Sequence, residues 1–168
     1  MTLITIPKNA STEAKLQALV DENQIVDAIH RYTAGLDFGD ADLLESALTE
    51  DATVDLSLAM AKIGYEFPPL TPRSTIMGGL LPAVGPLDTS HRISNVRVAI
   101  TGDTATLTCY AQAQHYLPGH GPKPEETRQA LMMNRYQAEL VRSRDSWRIQ
   151  TLLIDNAWFS GDPTILIG

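Results

Sequence analysis

The sequence contains one cysteine, Cys109, among its 168 residues. One thiol cannot close an intrachain disulfide, and it cannot supply the CxxC pairs of a cysteine-rich metal site. The first fifteen residues also lack a basic leader and a long apolar run, so neither a signal peptide nor a membrane span is predicted. A lone thiol and the missing leader together favour a cytoplasmic protein.

Residues of positive charge are few as well. The chain has 13 Lys and Arg against 20 Asp and Glu, which gives a net charge of -7. Binding to nucleic acid depends largely on Lys and Arg that displace counterions from phosphates, so we do not expect nucleic acid as a partner. Arg142, Arg144 and Arg148 cluster around a predicted hairpin turn at residues 143–146, and we interpret them as a solvated strand end.

Low-complexity segments and repeats are absent, and 43% of the residues are hydrophobic and 20% charged. This composition is typical of a soluble globular protein, and the length suffices for one substantial core. We therefore predict a single domain over residues 1–168, with residues 1–18 and 160–168 as terminal extensions. The segment from Pro163 to Gly168 could cover a pocket or a neighbouring subunit.

The first part of the chain is predicted to be helical. Apolar residues at spacings of four, three and four, beginning at Ile25, predict a helix from Ser11 to Leu36. The helix would instead start at Asp21 if it breaks there. A second short helix is predicted after Asp40, whose side chain is suited to cap it.

Shorter elements follow these helices. A strand over residues 52–57 leads into a stretch that the prolines of residues 68–72 make irregular, since proline fits neither a strand ladder nor a helix interior. This stretch could form a lid or a pocket rim. A third short helix is predicted from Arg73 to Leu81, ended by Pro82.

The second half of the chain predicts four long strands, at residues 91–100, 104–117, 128–142 and 147–159. Helices followed by an antiparallel meander form an α+β pattern, in which the helices close one end of a bent sheet. Three consecutive apolar residues at 152–154 break the alternation of the last strand. They predict a central strand covered on both faces, by helices and by a partner subunit.

Polar side chains interrupt the apolar faces of two strands. His115 ends the small, apolar face of one strand, and Asn134 lies between Met132 and Tyr136 on the next. Polar groups on a concave face bind either the backbone or a ligand, and the pattern leaves both interpretations open. The same holds for Asp37, which either points inward from the flank of the helical stripe or caps the following turn.

His91 begins the first long strand, at the predicted mouth of the pocket. A histidine there can act as a general base or acid near neutral pH. A carboxylate bonded to its other ring nitrogen would fix the tautomer and raise its basicity. A purely structural histidine is the alternative.

Three runs of sequence, residues 29–40, 48–52 and 89–96, resemble the SnoaL-like group of the NTF2-like superfamily, and the strand at Trp147 agrees with it. The resemblance extends from Leu19 to Phe159. It implies a cone-shaped α+β fold in which N-terminal helices pack on a strongly curved, mainly antiparallel sheet that encloses a pocket. The group includes scytalone dehydratase, bile-acid 7α-dehydratase and hexachlorocyclohexane dehydrochlorinase.

The resemblance also implies roles for individual residues. Asp37 and His91 match the catalytic pair of these relatives, while Tyr32, His115 and Asn134 match further catalytic residues of some of them. Thr151 stands where two relatives carry an arginine, and Ala113 stands where one carries a carboxylate, so these groups have no counterpart here. Substrate contacts are assigned to Met132, Tyr136, Tyr110, Thr151 and Asp155.

These patterns predict a cofactor-independent lyase or isomerase, of dehydratase or cyclase type, that uses His-Asp acid/base chemistry. Its substrate would be a small, cyclic, largely apolar molecule such as a polyketide or terpenoid intermediate. No metal is expected, because the four histidines show no HExxH or His-x-His spacing. The mixed outer face of the sheet predicts a homodimer or higher homo-oligomer. The alternative is a non-catalytic small-molecule-binding or assembly module of the same fold.

Overall fold

The computed structural model describes residues 9–144 and 146–166. The helices are α1 (Thr12–Asp37), α2 (Ala41–Ala47), α3 (Ser57–Ala61) and α4 (Arg73–Val84), with 3-10 turns at Pro124–Glu126 and Pro163–Leu166. The strands are β1 (Leu48–Asp55), β2 (Asp88–Thr101), β3 (Thr104–Tyr116), β4 (Gln129–Ser143) and β5 (Ser146–Gly161). The predicted α+β class and the four long strands are confirmed.

Both N-terminal helices begin at capping side chains. The Ser11 hydroxyl caps α1 and the Asp40 carboxylate caps α2, each accepting an N–H of the first turn. The predicted apolar stripe of α1, from Ile25 to Leu36, is buried. The alternative start at Asp21 is wrong, because α1 runs through this position without a break.

The segment between β1 and β2 is more helical than predicted. Residues 57–61 form α3 inside the stretch that was expected to be irregular. Pro82 does not end α4, which continues to Val84. A proline inside a helix removes one N–H donor without necessarily ending the helix, and here the helix ends at its C-cap Gly85, three residues later.

The five strands form one curled sheet in the order β1-β5-β4-β3-β2. β1 pairs with β5 in parallel, and the other neighbours are antiparallel. Because side chains alternate between the faces of a strand, each strand contributes one row to the concave face. The predicted inner row of β3, from Ala105 to His115, is confirmed, as is that of β4, from Ala130 to Leu140.

Two β-bulges interrupt the alternation of β5. Glu139 pairs with Thr151 and Leu140 with Ile149, so Gln150 is an extra residue. A second extra residue, Ala157, lies where β5 passes the middle of β4. The first bulge places Leu152 and Ile154 on the inner face, and Leu153 lies half-buried between them on the outer face. β5 is a central strand, as predicted, because it pairs with both β1 and β4.

The end of the fold at the β4–β5 turn, called the narrow end below, is held by a charge cluster around the buried Asp21 carboxylate. Arg142 donates two hydrogen bonds to the Asp21 carboxylate, at 2.7 and 2.9 Å, and its guanidinium lies 4.6 Å from the centre of the Trp147 ring. Trp147 Nε1 also donates to Asp21, at 3.2 Å. The interpretation of Arg142 as part of a solvated strand end is therefore wrong, because its charge is paired with a buried carboxylate.

The predicted terminal extensions belong partly to the folded core elements. Residues 12–18 form the first turns of α1, and residues 160–161 end β5. The first eight residues lie outside the described residues. Within the described chain, no helix combines the length and apolar character needed to cross a membrane.

Candidate active site

Asp37 and His91 meet at the opposite end of the fold, called the wide end below, where α1 ends. Asp37 is the last residue of α1, and His91 lies on the inner face of β2. Asp37 Oδ1 lies 2.6 Å from His91 Nδ1, and Asp37 Oδ2 accepts the His91 backbone N–H at 2.8 Å. The side chains of His91 and Asp37 are only 6% and 13% exposed, so both contacts are shielded from solvent. The structure thus brings together the two residues that the resemblance paired.

The protonation of this pair follows from its hydrogen bonds. Burial raises the pKa of Asp37, but the hydrogen bonds from the ring and backbone N–H of His91 outweigh it and hold the pKa below its ordinary value. An ionised carboxylate only accepts hydrogen bonds, so Nδ1 of a neutral His91 must carry the proton. Nε2 of His91 is then an unprotonated base beside the cavity.

His115 lies beside His91 on β3. The two rings are nearly perpendicular, with centroids 5.7 Å apart, and His115 Nδ1 lies 2.8 Å from the Thr89 hydroxyl oxygen. Burial and the neighbouring His91 ring lower the pKa of His115 to about 4. His115 is therefore neutral at pH 7. It can donate a hydrogen bond to a ligand or accept one from it without adding charge to the pocket.

The pocket is a cavity of about 90 Å³ between the sheet and the helices. His91, His115 and Asn134 supply polar groups from three neighbouring strands. Among the described lining residues there is no Lys or Arg. Much of the remaining wall is apolar, contributed by Met60, Ile63, Leu80, Val84, Ile154 and Phe159.

Two tyrosines face the same cavity. Tyr32, on α1, is 1% exposed, and Tyr136, on β4, is 3% exposed. Neither hydroxyl has a hydrogen-bond partner among the described residues. Burial raises both pKa values, so both phenols stay protonated and can donate to a ligand.

Asn156 is a pocket residue that the sequence did not reveal. It lies opposite Asn134 in the register of β4 and β5, and its Nδ2 donates to Asn134 Oδ1 at 2.9 Å. Simple alternation from Trp147 would place residues 151 and 155 on the inner face. The bulge at Gln150 shifts the row by one residue, so Asn156 faces inward instead.

The same shift corrects two assigned substrate contacts. Thr151 and Asp155 lie on the outer face of β5, where Asp155 forms an ion pair with Lys62. Tyr110 is also outside the pocket, because it alternates with the inward residues of β3. The two remaining assigned contacts, Met132 and Tyr136, line the cavity.

The C-terminal turn, Pro163–Leu166, closes one side of the pocket. Ile165 packs against the inner face of the sheet, and Leu166 lines the cavity. The chain reaches this position through Gly161, whose φ of +87° and contact with the Gln129 carbonyl leave no room for a side chain. Of the two expected roles of the tail, its described residues take the first and cover the pocket.

No group of three or more His, Cys, Asp or Glu side chains within residues 9–144 and 146–166 is arranged to hold a metal ion. The site instead combines an ionised carboxylate, an oriented histidine and several neutral hydrogen-bonding groups in a largely apolar cavity. Fold and site together define an α+β cone built to enclose a small organic molecule.

The chain belongs to the SnoaL-like domain family, whose sequence profile matches residues 17–152. It is 34% identical over 148 residues to terrestric acid biosynthesis cluster protein E of Penicillium crustosum, covering 86% of this chain and 88% of that protein. The family indicated by the sequence is thereby confirmed.

Solved structures agree with this assignment. Protein Kfla4162 of Kribbella flavida superposes with a TM-score of 0.73 at 26% identity, over 90% of this chain and 99% of its own. The hexachlorocyclohexane dehydrochlorinase LinA-type3 of Novosphingobium barchaimii has a TM-score of 0.68 at 18% identity, over 89% and 94% of the two chains. At that identity the second match supports the shared fold.

Proposed function

We propose that this protein is a cofactor-independent lyase or isomerase that moves a proton on a small, cyclic, largely apolar molecule. The contact between His91 Nδ1 and Asp37 Oδ1, at 2.6 Å, is the observation that carries the proposal. It orients the ring so that the other nitrogen is available to a ligand in the pocket. A positioned base of this kind contributes about 10² to 10⁴-fold in rate.

In the proposed reaction, His91 Nε2 takes a proton from a carbon next to a carbonyl group. The electron pair moves into the carbonyl, and its oxygen gains negative charge that neutral donors such as Tyr32 and His115 stabilise. Asp37 stabilises the imidazolium ion that forms. In an elimination, the proton then leaves with the departing hydroxide as water; in an isomerisation, it returns to another carbon.

The similarity to a protein of the terrestric acid biosynthesis cluster supports a role in secondary metabolism. The lining supports an uncharged substrate, because among the described lining residues no Lys or Arg could pair with a carboxylate or phosphate. A polyketide or terpenoid intermediate with a ring carbonyl meets both conditions.

The test measures proton exchange and dehydration of cyclic β-hydroxy ketones, starting with 3-hydroxycyclohexanone in D2O. Deuterium at the acidic carbon is followed by NMR, and the enone product is followed by its absorbance. His91→Asn should abolish both signals, whereas His30→Asn, at an exposed histidine of α1, should leave them unchanged. If the wild type binds such ketones but exchanges no faster than His91→Asn, a non-catalytic binding module is the better account.

We also propose that the outer face of the sheet mediates a homodimer. Trp158 is 46% exposed there and lies opposite Met133, with Leu131 on the same face. Sedimentation velocity should show a dimer that Trp158→Lys dissociates. A wild type that stays monomeric at high concentration would contradict this assignment.

A further inference from the structure

Asn134 and Asn156 form a buried amide pair on the wall of the pocket. Their side chains lie on neighbouring strands and are 7% and 5% exposed. Asn156 Nδ2 donates to Asn134 Oδ1 at 2.9 Å and lies 3.5 Å from the Met133 carbonyl oxygen. Both residues line the cavity.

The pair does not use all of its hydrogen-bonding groups. An amide side chain offers two N–H donors and one oxygen acceptor. The shared bond occupies the Asn134 oxygen and the Asn156 nitrogen. Among the described residues, no hydrogen-bond partner is found for Asn134 Nδ2 or for Asn156 Oδ1.

This result does not depend on which way the amides are turned. If both amides rotate by half a turn, the shared bond reverses and now uses the nitrogen of Asn134 and the oxygen of Asn156. One nitrogen and one oxygen are still left over. In either orientation the pair presents a neutral donor and a neutral acceptor side by side.

A ligand that pairs with this adjacent donor and acceptor needs an acceptor of its own next to a donor. An uncharged ring compound meets this requirement when a carbonyl lies beside a hydroxyl or enol group. A simple ketone or an ether would leave one of the two buried amide atoms unpaired, which weakens binding.

We infer that the Asn134–Asn156 pair selects substrates that carry a carbonyl next to a hydroxyl or enol group. In the orientation that also lets Asn156 Nδ2 donate to the Met133 carbonyl, Asn156 is a positioning residue, because its bond to the Asn134 oxygen turns the Asn134 amide N–H toward the ligand. The inference rests on the proposed function, since it names the substrate class for the reaction at His91. The recognised carbonyl would be the group that makes a neighbouring C–H acidic.

The test compares the binding of two probes by NMR titration at pH 6. Maltol carries adjacent carbonyl and hydroxyl groups and is uncharged at that pH, and its methyl ether lacks only the donor. The wild type should prefer maltol by about tenfold, the effect expected of one hydrogen bond to a buried acceptor. The double variant Asn134→Leu/Asn156→Leu should bind both probes equally. Removing both partners leaves neither amide unpaired, so this variant should fold, and its melting temperature verifies that.

The positioning role of Asn156 is tested by Asn156→Asp. A carboxylate cannot donate to the Asn134 oxygen, so the Asn134 amide should turn its N–H groups away from the pocket. Both probes carry the carbonyl that accepts this N–H, so both should bind more weakly, although the side-chain volume is almost unchanged. Maltol should keep its preference, because its hydroxyl still meets an oxygen acceptor. An unchanged affinity for the methyl ether would overturn the positioning role.

Equal affinity of the wild type for both probes, or no saturable binding of either, would overturn the inference. His91→Asn separates this failure from failure of the proposed function. That variant should lose proton exchange and keep the preference for maltol. Proton exchange that depends on His91, without any preference for maltol, would contradict the inference and leave the proposed function standing. A preference for maltol without such exchange would contradict the proposed function and leave the inference about binding standing.

Discussion

The two ends of the cone both bury polar side chains, but they treat them differently. At the narrow end, the Asp21 carboxylate accepts hydrogen bonds from Arg142, Trp147 and Gln17, and Arg142 also binds Asp103. The buried charge of Asp21 is therefore matched by donors within the protein. Such a cluster can hold elements together, and it offers little to a ligand.

At the wide end, several polar side chains have atoms that form no hydrogen bond to another described residue. Within the described residues, unpaired atoms remain on the His91 ring, the Asn134 amide and the hydroxyls of Tyr32 and Tyr136. These atoms border the cavity, so a ligand can complete their hydrogen bonds. The two ends therefore differ in what their polar side chains face: donors within the protein at the narrow end, and a cavity at the wide end.

The largest expected effect is on catalysis at the wide end. In the proposed reaction the Asp37 charge stabilises the His91 imidazolium ion and fixes the His91 tautomer, so Asp37→Asn should lower turnover by about 10² to 10⁴-fold. Steady-state kinetics on an active ketone measure the loss. The matched control is Asp42→Asn, at an exposed carboxylate of α2, which should retain full turnover. A turnover within twofold of wild type for Asp37→Asn would contradict a catalytic role for the wide end.

The next largest effect is on stability at the narrow end. Arg142→Met leaves the buried Asp21 carboxylate without its main partner, so unfolding free energy should fall by about 1.5 to 3 kcal/mol. Urea denaturation measures the change. Arg144→Met, at an exposed arginine two residues away, should shift stability by less than about 0.5 kcal/mol. Equal effects of the two substitutions would mean that the buried cluster does not hold this end together.

One buried group at each end should lose its contribution to stability in a pH range of its own. Burial lowers the pKa of His115 from 6.5 to about 4, so the unfolded chain takes up this proton first and stability falls as pH drops from about 6.5 to 4. Arg142 lowers the pKa of Asp21 from 3.8 to about 2, so its contribution persists above that range and is lost only between about pH 4 and 2.

Urea denaturation at several pH values separates these contributions. His115→Gln should reduce the slope of stability against pH in the upper range alone, and Asp21→Asn should reduce it in the lower range alone, where Asp37 also contributes. If either substitution altered both ranges equally, the two ends would not titrate independently.

The smallest effect is expected at the tail. Arg128 forms an ion pair with Asp162 at 2.8 Å, but these side chains are 47% and 41% exposed. Water and salt screen such pairs, so Arg128→Met should cost less than about 1 kcal/mol in urea denaturation. A cost comparable to that of Arg142→Met would show that the tail contributes to folding as much as the narrow end does.

Much of the fold could be predicted because its signals are local. The apolar stripe of α1, the cap at Asp40 and the alternation of β3 and β4 depend on residues close in sequence. Spacing left the orientation of Asp37 undecided, and the family resemblance paired it with His91. The structure supplies the contact distance.

Three errors at the site have a common physical origin in β5. A β-bulge places two consecutive residues on one face, and whether it forms depends on pairing with a partner strand that the sequence of β5 does not contain. One unrecognised bulge at Gln150 moved Thr151 and Asp155 onto the wrong face and hid Asn156. The five-residue helix α3 was missed because so short a helix has too few turns to show a period.

The two tryptophans label two separate regions of the molecule. Trp147 is fully buried against the Arg142 guanidinium, while Trp158 is 46% exposed on the outer face of the sheet. Indole emission shifts with the polarity of its surroundings, so each ring reports on its own region. Replacing Trp158 by Phe would leave a fluorescence signal that follows the narrow end, and the difference from wild type would follow the outer face as subunits associate.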